Sequence, residues 1–382
     1  GDGALGITEG YSSTLRADGG QPMRYAVRND CVSEAAMALA FDGALDSNPS
    51  RAQTARNLLD YLYAHSAMTQ GHQADPSSPM YGLVGWSLDN PESFWGDDNA
   101  RGMLAVMATA AVLKEPRWNE SLARCLLANL RTTGKQGFRE GCVTGKELRR
   151  RGVSAFAESD FTLYSAHYEG YLWACFLRAY DLSRYAPFLE KSKTALGMLM
   201  AAYPAKWDWV LHSAQIERAR ALLPLAWLVR VEDTPEHRDW LRTIARDMLA
   251  AQDACGAIRE TLGGVTQSVA SNEAYGTGEI ALLQRDGDPL SDSLYTCNFA
   301  LLGLHEAYAA TGEALYREAE DKLAAYLCRI QIRSEAHPEL DGAWYRGFDF
   351  GRWEFWASNA DWEWGAWCIE SGWGTPWIAA TL

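Results

Sequence analysis

The sequence predicts an all-α protein: an (α/α)6 toroid, a six-hairpin barrel of helices, with long loops over one face. Three observations predict it. Two kinds of helix alternate along the chain, the more apolar kind begins in polar clusters six times over, and long connections alternate with short ones.

The predicted helices span roughly 30–42, 50–67, 97–113, 118–132, 161–181, 185–202, 212–230, 235–254, 291–310, 314–331 and 361–382. One kind is amphipathic. In "ALYREAEDKLAAYLCRI" the apolar residues Leu315, Ala319, Leu323, Leu327 and Ile330 recur every three to four positions, with Arg317, Glu320, Asp321 and Lys322 opposite. The other kind is apolar all round, as in "NARGMLAVMATAAVL", "GYLWACFLRAY" and "NFALLGLHEAYAA", and must be covered on most sides. Half-exposed and covered helices taking turns describe an outer ring around an inner one. The inner helices start near Asp30, Asp98, Asp160, His212, Asp292 and Asp361, one helical hairpin apart. The final helix, running to the chain end without a polar capping repeat, favours a closed ring over an open solenoid. The expectation is one catalytic domain over 1–382. The start "GDGALGITEG", without Met, points to trimming from a longer precursor.

Segments 68–96, 133–160, 255–290 and 332–360 are long and carry Gly, aromatic and acidic residues, whereas "DLSRYAP" and "VEDTPEH" are short. Loops of that length usually carry function, so the site is expected on the face they share, over the N-terminal ends of the inner helices.

Composition narrows the partner. The chain is 48% hydrophobic and 22% charged, enough to bury a large core. Its net charge of -14 argues against nucleic acid and anionic membranes, and no apolar run is long enough to span a bilayer. None of the eight cysteines forms a C-x-x-C pair, and most lie in apolar helical segments, which favours buried thiols and a cytoplasmic over a periplasmic setting. Nucleotide-binding, zinc-protease and serine-hydrolase signatures are absent, and the seven histidines lack metal-ligand spacing. No metal or other cofactor is expected.

The inner-helix starts hold the candidate chemistry. Asp at such a place satisfies free backbone N–H groups and complements the helix dipole, so capping is the alternative for every acid. Asp30 and Asp98 exceed that need, because further polar residues follow each on a helix that should be buried. Polar residues around a solvated cavity account for the surplus. The candidates are Arg28 and Asp30; Trp95, Asp97, Asp98, Asn99 and Arg101; His167 and Glu169; His212 and Glu217; and Asp361 and Trp362. One of Asp97 and Asp98 is expected to cap, leaving the other to face the cavity.

Tryptophan adds a second signal. Eight of 16 lie between 344 and 377, and "DGAWYRGFDFGRWEFWASNADWEWGAW" mixes them with Arg346, Asp349, Arg352 and Glu354. Aromatic faces suit the C–H face of a sugar while carboxylates, amides and Arg bond its hydroxyls. Trp344, Arg346 and Asp349 therefore join the substrate-binding candidates. In the glycine-rich loop 255–290, Glu273 is positioned to pair with Asp98 or Asp30, as glycoside hydrolysis needs one protonated and one ionised carboxyl. Arg28, Arg101 and Arg346 either clamp a uronate carboxylate or neutralise neighbouring acids.

The segments "RNDCVSEAAMALA", "WGDDNARGML", "IERARALLPLAWLVRVEDT" and "PELDGAWYRGFDFGRWEFWASNADWEWGAWCIESGW" resemble the six-hairpin glycosidase superfamily, which includes unsaturated glucuronyl hydrolases, and within it a bacterial branch with β-glucuronidase-like activity. The resemblance spans nearly the whole chain, and its motifs do not diagnose a substrate. It implies acid/base hydrolysis of a glycoside at a carboxylate pair, with Asp98 matching one member and Asp30 or Glu273 the other. It also allows a sugar epimerase or polysaccharide lyase, using His167 or His212 with Tyr275 or Tyr345. A non-catalytic carbohydrate-binding toroid is the third reading. The oligomeric state is not legible.

Overall fold

A computed structural model describes residues 1–268, 280–358 and 363–382 of the 382-residue chain. It divides into two compact units, Gly1–Glu9 with Tyr25–Tyr164 and Tyr168–Trp207, and Gly10–Arg24 with Ser165–His167 and Asp208–Leu382.

The first unit alternates as its sequence dictates. Helix α1 (Asn29–Leu45) is buried along most of its length and α2 (Pro49–Asp60) on one stripe; α3 (Gly96–Leu113) and α4 (Asn119–Arg131) repeat the pattern. α1 packs on α3, and each takes its amphipathic successor as a partner. Close approach of α1 and α3 depends on Gly102, where a Cβ would come within 3.0 Å of Asn29 Oδ1. Two short helices, α5 (Gly145–Arg151) and α6 (Val153–Ala157), lie in the long connection after α4. Helix α7 (Ala166–Ser183) belongs to this unit from Tyr168 onward, followed by α8 (Ala186–Ala202), whose buried residues Phe188, Ser192, Ala195, Leu199 and Ala202 keep helical spacing.

The second unit follows the same rule. Buried α9 (Ala214–Val231) packs on buried α11 (Cys297–Thr311), with α10 (Pro235–Leu249) and α12 (Ala314–Arg329) as amphipathic partners and α13 (Gly374–Thr381) against α11. A Cβ at Gly303 would meet Leu222 Cβ at 2.5 Å, so this contact also requires glycine. On α12 the inward face is rotated from the expected one: Tyr316 and Tyr326 are buried, whereas Leu315 is exposed. The tyrosine rings offer more apolar area than Leu315 and take the core side.

Short antiparallel ribbons tie the long connections together. β3 (Ser93–Trp95) pairs with β4 (Cys142–Thr144), joining Phe94 to Val143. β5 (Leu290–Asp292) pairs with β6 (Gly347–Asp349), joining Ser291 to Phe348. β1 (Gly10–Tyr11) lies between β2 (Met23–Arg24) and β7 (Ile369–Glu370).

These ribbons correct several expected boundaries. The helix expected from 291 starts at Cys297, because Leu290–Asp292 is strand. The helix expected over 361–382 is reduced to Gly374–Thr381, with β7 ahead of it. The helix expected from 161 starts at Ala166, leaving Asp160 exposed in the connection before it. Among the described residues no helix is long and apolar enough to cross a membrane.

Candidate functional site

In the first unit the carboxylates and arginines expected at two inner-helix starts converge. Arg28 is the last extended residue before α1, while Asp98 sits in the first turn of α3. The Arg28 guanidinium donates to Asp30 through Nε (3.1 Å) and Nη2 (2.8 Å), to Asp98 Oδ1 through Nη2 (3.0 Å), and to Glu9 through Nη1 (2.8 Å). Arg101 donates to Glu34 at 2.9 Å through Nη1, and through Nη2 to Asp30 at 2.7 Å and Asp98 at 2.5 Å. Asp30 is 0% exposed and Asp98 4%.

Charge counting sets the protonation of this cluster. Among the described residues, the Arg28 and Arg101 guanidiniums are shared by Glu9, Asp30, Glu34 and Asp98, with Asp97 close enough to act on Asp98. A buried cluster with more acids than bases lowers its energy by keeping a proton on one acid. Burial, then the charges of Asp30 and Asp97, push the Asp98 carboxyl well above the usual carboxylate range. Burial alone would raise Asp30 too, but Arg28 and Arg101, with a hydrogen bond from Asp98, outweigh it and hold Asp30 ionised far below that range. The two carboxyls are thus pushed in opposite directions.

Neither Asp97 nor Asp98 caps α3, contrary to expectation. The cap position is Trp95, in extended conformation, and no side chain bonds the free N–H groups there. β3 runs straight into the helix, so the residue before the first turn is the end of a strand. Trp95 is half-buried and stacks on Tyr168 at 6.1 Å and 21°. Asn99 acts as a clamp: its amide accepts from Val84 N–H (3.1 Å) and donates to the Val84 carbonyl (2.8 Å). Glu169 is buried and accepts the Arg139 N–H at 3.0 and 3.2 Å; burial pushes its carboxyl up to about 8 against the pull of Arg139. Arg139, wholly buried, was not singled out in the sequence. It sits in "KQGFREG" with no periodic neighbour to mark it.

In the second unit the polar residues also gather at helix starts, with different acceptors. Arg346 donates through Nε to Asp292 (2.9 Å), through Nη1 to the Trp364 carbonyl (2.5 Å) and through Nη2 to the Ile280 carbonyl (2.7 Å). Asp292 accepts the N–H groups of Leu294 and Tyr295 with its other oxygen. Glu260 takes the Ser213 hydroxyl at 2.6 Å, and burial, then the Asp292 charge, raise its pKa. Glu217 accepts from the Ser165 hydroxyl (2.8 Å) and the His167 N–H (3.0 Å), and burial pushes it up to about 7. Arg220 grips the His167 carbonyl at 2.9 Å, so that residue's backbone is held from both sides. The His167 ring lies 5.8 Å from Tyr295 and 6.4 Å from Trp373. His212 is half-buried in the left-handed region, φ 57°.

Two expected sugar contacts have other surroundings. Trp344 is a core residue whose indole N–H bonds the Leu327 carbonyl at 2.8 Å. Asp349 is buried and accepts the N–H groups of Gly351 and Arg352, forming a turn. Tyr345 packs edge-on against Phe355. Glu273, Tyr275, Asp361 and Trp362 lie outside the described residues. Among the described residues no three His, Cys, Asp or Glu side chains converge as a metal site.

No family model matches the chain, and no curated protein matches it. Solved structures do match over nearly its whole length. Cellobiose 2-epimerase from Bacillus thermoamylovorans covers 100% of the chain and 92% of its own, at TM-score 0.66 and 10% identity. A D-mannose isomerase covers 98% of the chain and 90% of its own, at 0.60 and 13%. An unsaturated glucuronyl hydrolase specific for heparin covers 99% and 92%, at 0.60 and 10%. At these identities the likeness shows the fold alone, an (α/α)6 barrel, as in these epimerase, isomerase and glucuronyl hydrolase structures.

Proposed function

We propose that the protein is a carbohydrate-active enzyme, a glycoside hydrolase acting from a chain end on a uronic-acid-containing or other polar glycoside, with residues 1–382 as its catalytic domain. The observation that carries this reading is the acid surplus around Arg28 and Arg101. It raises the Asp98 carboxyl well above the usual carboxylate range, the direction a general acid needs to donate its proton to the leaving glycosidic oxygen.

Asp30 suits a different part from the base first expected. Its Oδ2 and Asp98 Oδ1 share the same Arg28 Nη2 and Arg101 Nη2. That brings them closer than the roughly 6.5–9.5 Å that separates acid from base in inverting enzymes, and two guanidiniums on Asp30 make it a poor nucleophile at the roughly 5–5.5 Å of retaining ones. Asp30 is the fixed anion whose charge helps raise Asp98. Glu273 is the remaining candidate for activating water. Asp98→Asn should cut turnover of aryl uronides and a glycoside panel by about 10²–10⁴-fold. Its circular-dichroism melt should stay near wild type, since Asn resembles the protonated acid. Undiminished turnover would reject the assignment. Glu273→Gln tests the base separately, and turnover equal to wild type would remove it.

Sugar epimerisation is the second reading, favoured by His167, whose backbone is fixed by Glu217 and Arg220 and whose ring lies beside Tyr295 and Trp373. Turnover in heavy-oxygen water separates the two. Hydrolysis places solvent oxygen in the released sugar, whereas epimerisation leaves the product unlabelled at that bond.

A further inference from the structure

Within the second unit, the tryptophan-rich segment divides into buried and displayed members. Trp344, Trp364, Trp373 and Trp377 are in the interior, but Trp353 is 44% exposed. It stands on the turn formed by Asp349, after which Asp349 and Glu354 exchange backbone hydrogen bonds at 2.8 and 3.1 Å. Phe348 and Tyr326 meet its indole edge-on, at 5.2 and 6.1 Å, so the ring's plane is fixed before any ligand arrives.

Guanidiniums accompany this stretch. Arg259 lies over Phe350 at 5.2 Å, Arg329 over Trp353 at 5.0 Å and Arg352 over Trp356 at 4.9 Å. Arg329 and Arg352 are exposed. The nearby acids include Glu354, 3.5 Å from Arg352, the buried Asp349 at 3.7 Å, and Asp253, whose charge is felt by Arg259. On a chain of net charge -14, a polyanion is repelled in general and needs a locally basic place to land. A rigid exposed indole flanked by guanidiniums matches a pyranose bearing a carboxylate: its C–H face stacks while arginine takes the charge. Arg28, Arg101 and Arg346 are buried against the chain's own carboxylates. Arg329, which donates to the Ala325 and Cys255 carbonyls, and Arg352, paired with Glu354, are exposed and can exchange those partners for a ligand's carboxylate.

We propose that Trp353, with Arg329 and Arg352, is a secondary binding platform for an acidic polysaccharide chain. The proposal rests on the hydrolase reading for the ligand's meaning as substrate, but its binding is measured separately. The test is native electrophoresis through gels containing polygalacturonate or hyaluronan, with galactomannan as the neutral control. Wild type should be retarded by at least one acidic polymer and not by galactomannan, and Asp98→Asn should behave the same. Trp353→Ala should weaken retardation about fivefold or more, by loss of stacking. The Arg329→Gln/Arg352→Gln double variant should do likewise, and it decides the matter if Trp353→Ala does not fold. Absence of retardation in both acidic gels, equal retardation in galactomannan, or unchanged retardation of the variants would overturn the platform. Trp353-dependent retardation by a protein that hydrolyses no glycoside sustains the platform and removes the hydrolase reading. Hydrolysis without such retardation removes the platform alone.

Discussion

The two units each bury arginine against acid at the start of an inner helix, and they use it differently. In the first, Arg28 and Arg101 face carboxylates almost exclusively, and the acids outnumber them. In the second, Arg346 divides its donors between one carboxylate, Asp292, and two backbone carbonyls. A carbonyl cannot titrate, so Arg346 also staples three chain segments. Its carboxylate neighbours are not inert, since Glu260 beside Asp292 is raised to about 8. In the first unit the arginines' donors go to carboxylates instead of carbonyls, and the acid they do not hold down is Asp98.

Substitutions in each unit put this contrast at risk. The largest effect is expected for Arg101→Met, which takes a buried cation away from Asp30, Glu34 and Asp98; a loss of about 3–5 kcal/mol in denaturant melts is expected. Arg346→Met should cost somewhat less, about 2–3 kcal/mol, because Asp292 keeps its two N–H donors. The folded fraction of that variant should retain its turnover, and loss of turnover would show that the staple is more than structural. Asp30→Asn should be milder still in stability, since Asp98 can ionise in its place. Its signature is in the pH–rate profile: the alkaline limb, set by the acid's proton, should move to lower pH.

Glu169 gives a prediction of a different kind, a pH slope rather than a loss at one pH. Its pKa is raised in the fold to about 8 from the ordinary 4.5, so the fold binds the proton more tightly than the unfolded chain does. Its contribution is complete below the unfolded value and fades as pH rises toward 8. Stability should therefore fall across pH 5–8 by up to about 1.4 kcal/mol per unit for this group. Glu169→Gln should flatten that slope in melts over the same range, and an unchanged slope would contradict the raised pKa.

Much of the fold was legible because helical burial leaves a period. The alternation of "NARGMLAVMATAAVL" with stripes such as that of α12 survives in the helix packing of both units. The ribbons were not legible, since two- and three-residue strands such as Cys142–Thr144 carry no pattern of their own. At the site, the Arg28–Asp30 pair could be read from adjacency. Arg101 to Glu34 crosses 67 positions and Glu9 to Arg28 crosses 19, distances over which one sequence gives no pairing signal. Trp344 shows the limit of composition: a tryptophan suits a sugar face and a core equally, and only packing tells which.

The direct passage of β3 into α3 governs which changes of length the protein tolerates. Trp95 ends the strand and Asp98 lies three residues on, with no spacer between ribbon and acid. A single residue inserted in Cys142–Thr144 would shift the pairing by one place, turn Cys142 and its neighbours to the opposite face and misalign the ribbon that leads into the helix. Insertions beyond Thr144, in the connection that holds α5 and α6, leave that register intact. Length variation should therefore be accepted on the far side of Thr144 and rejected on the near side, so this loop offers a place for engineering longer arms without disturbing the acid.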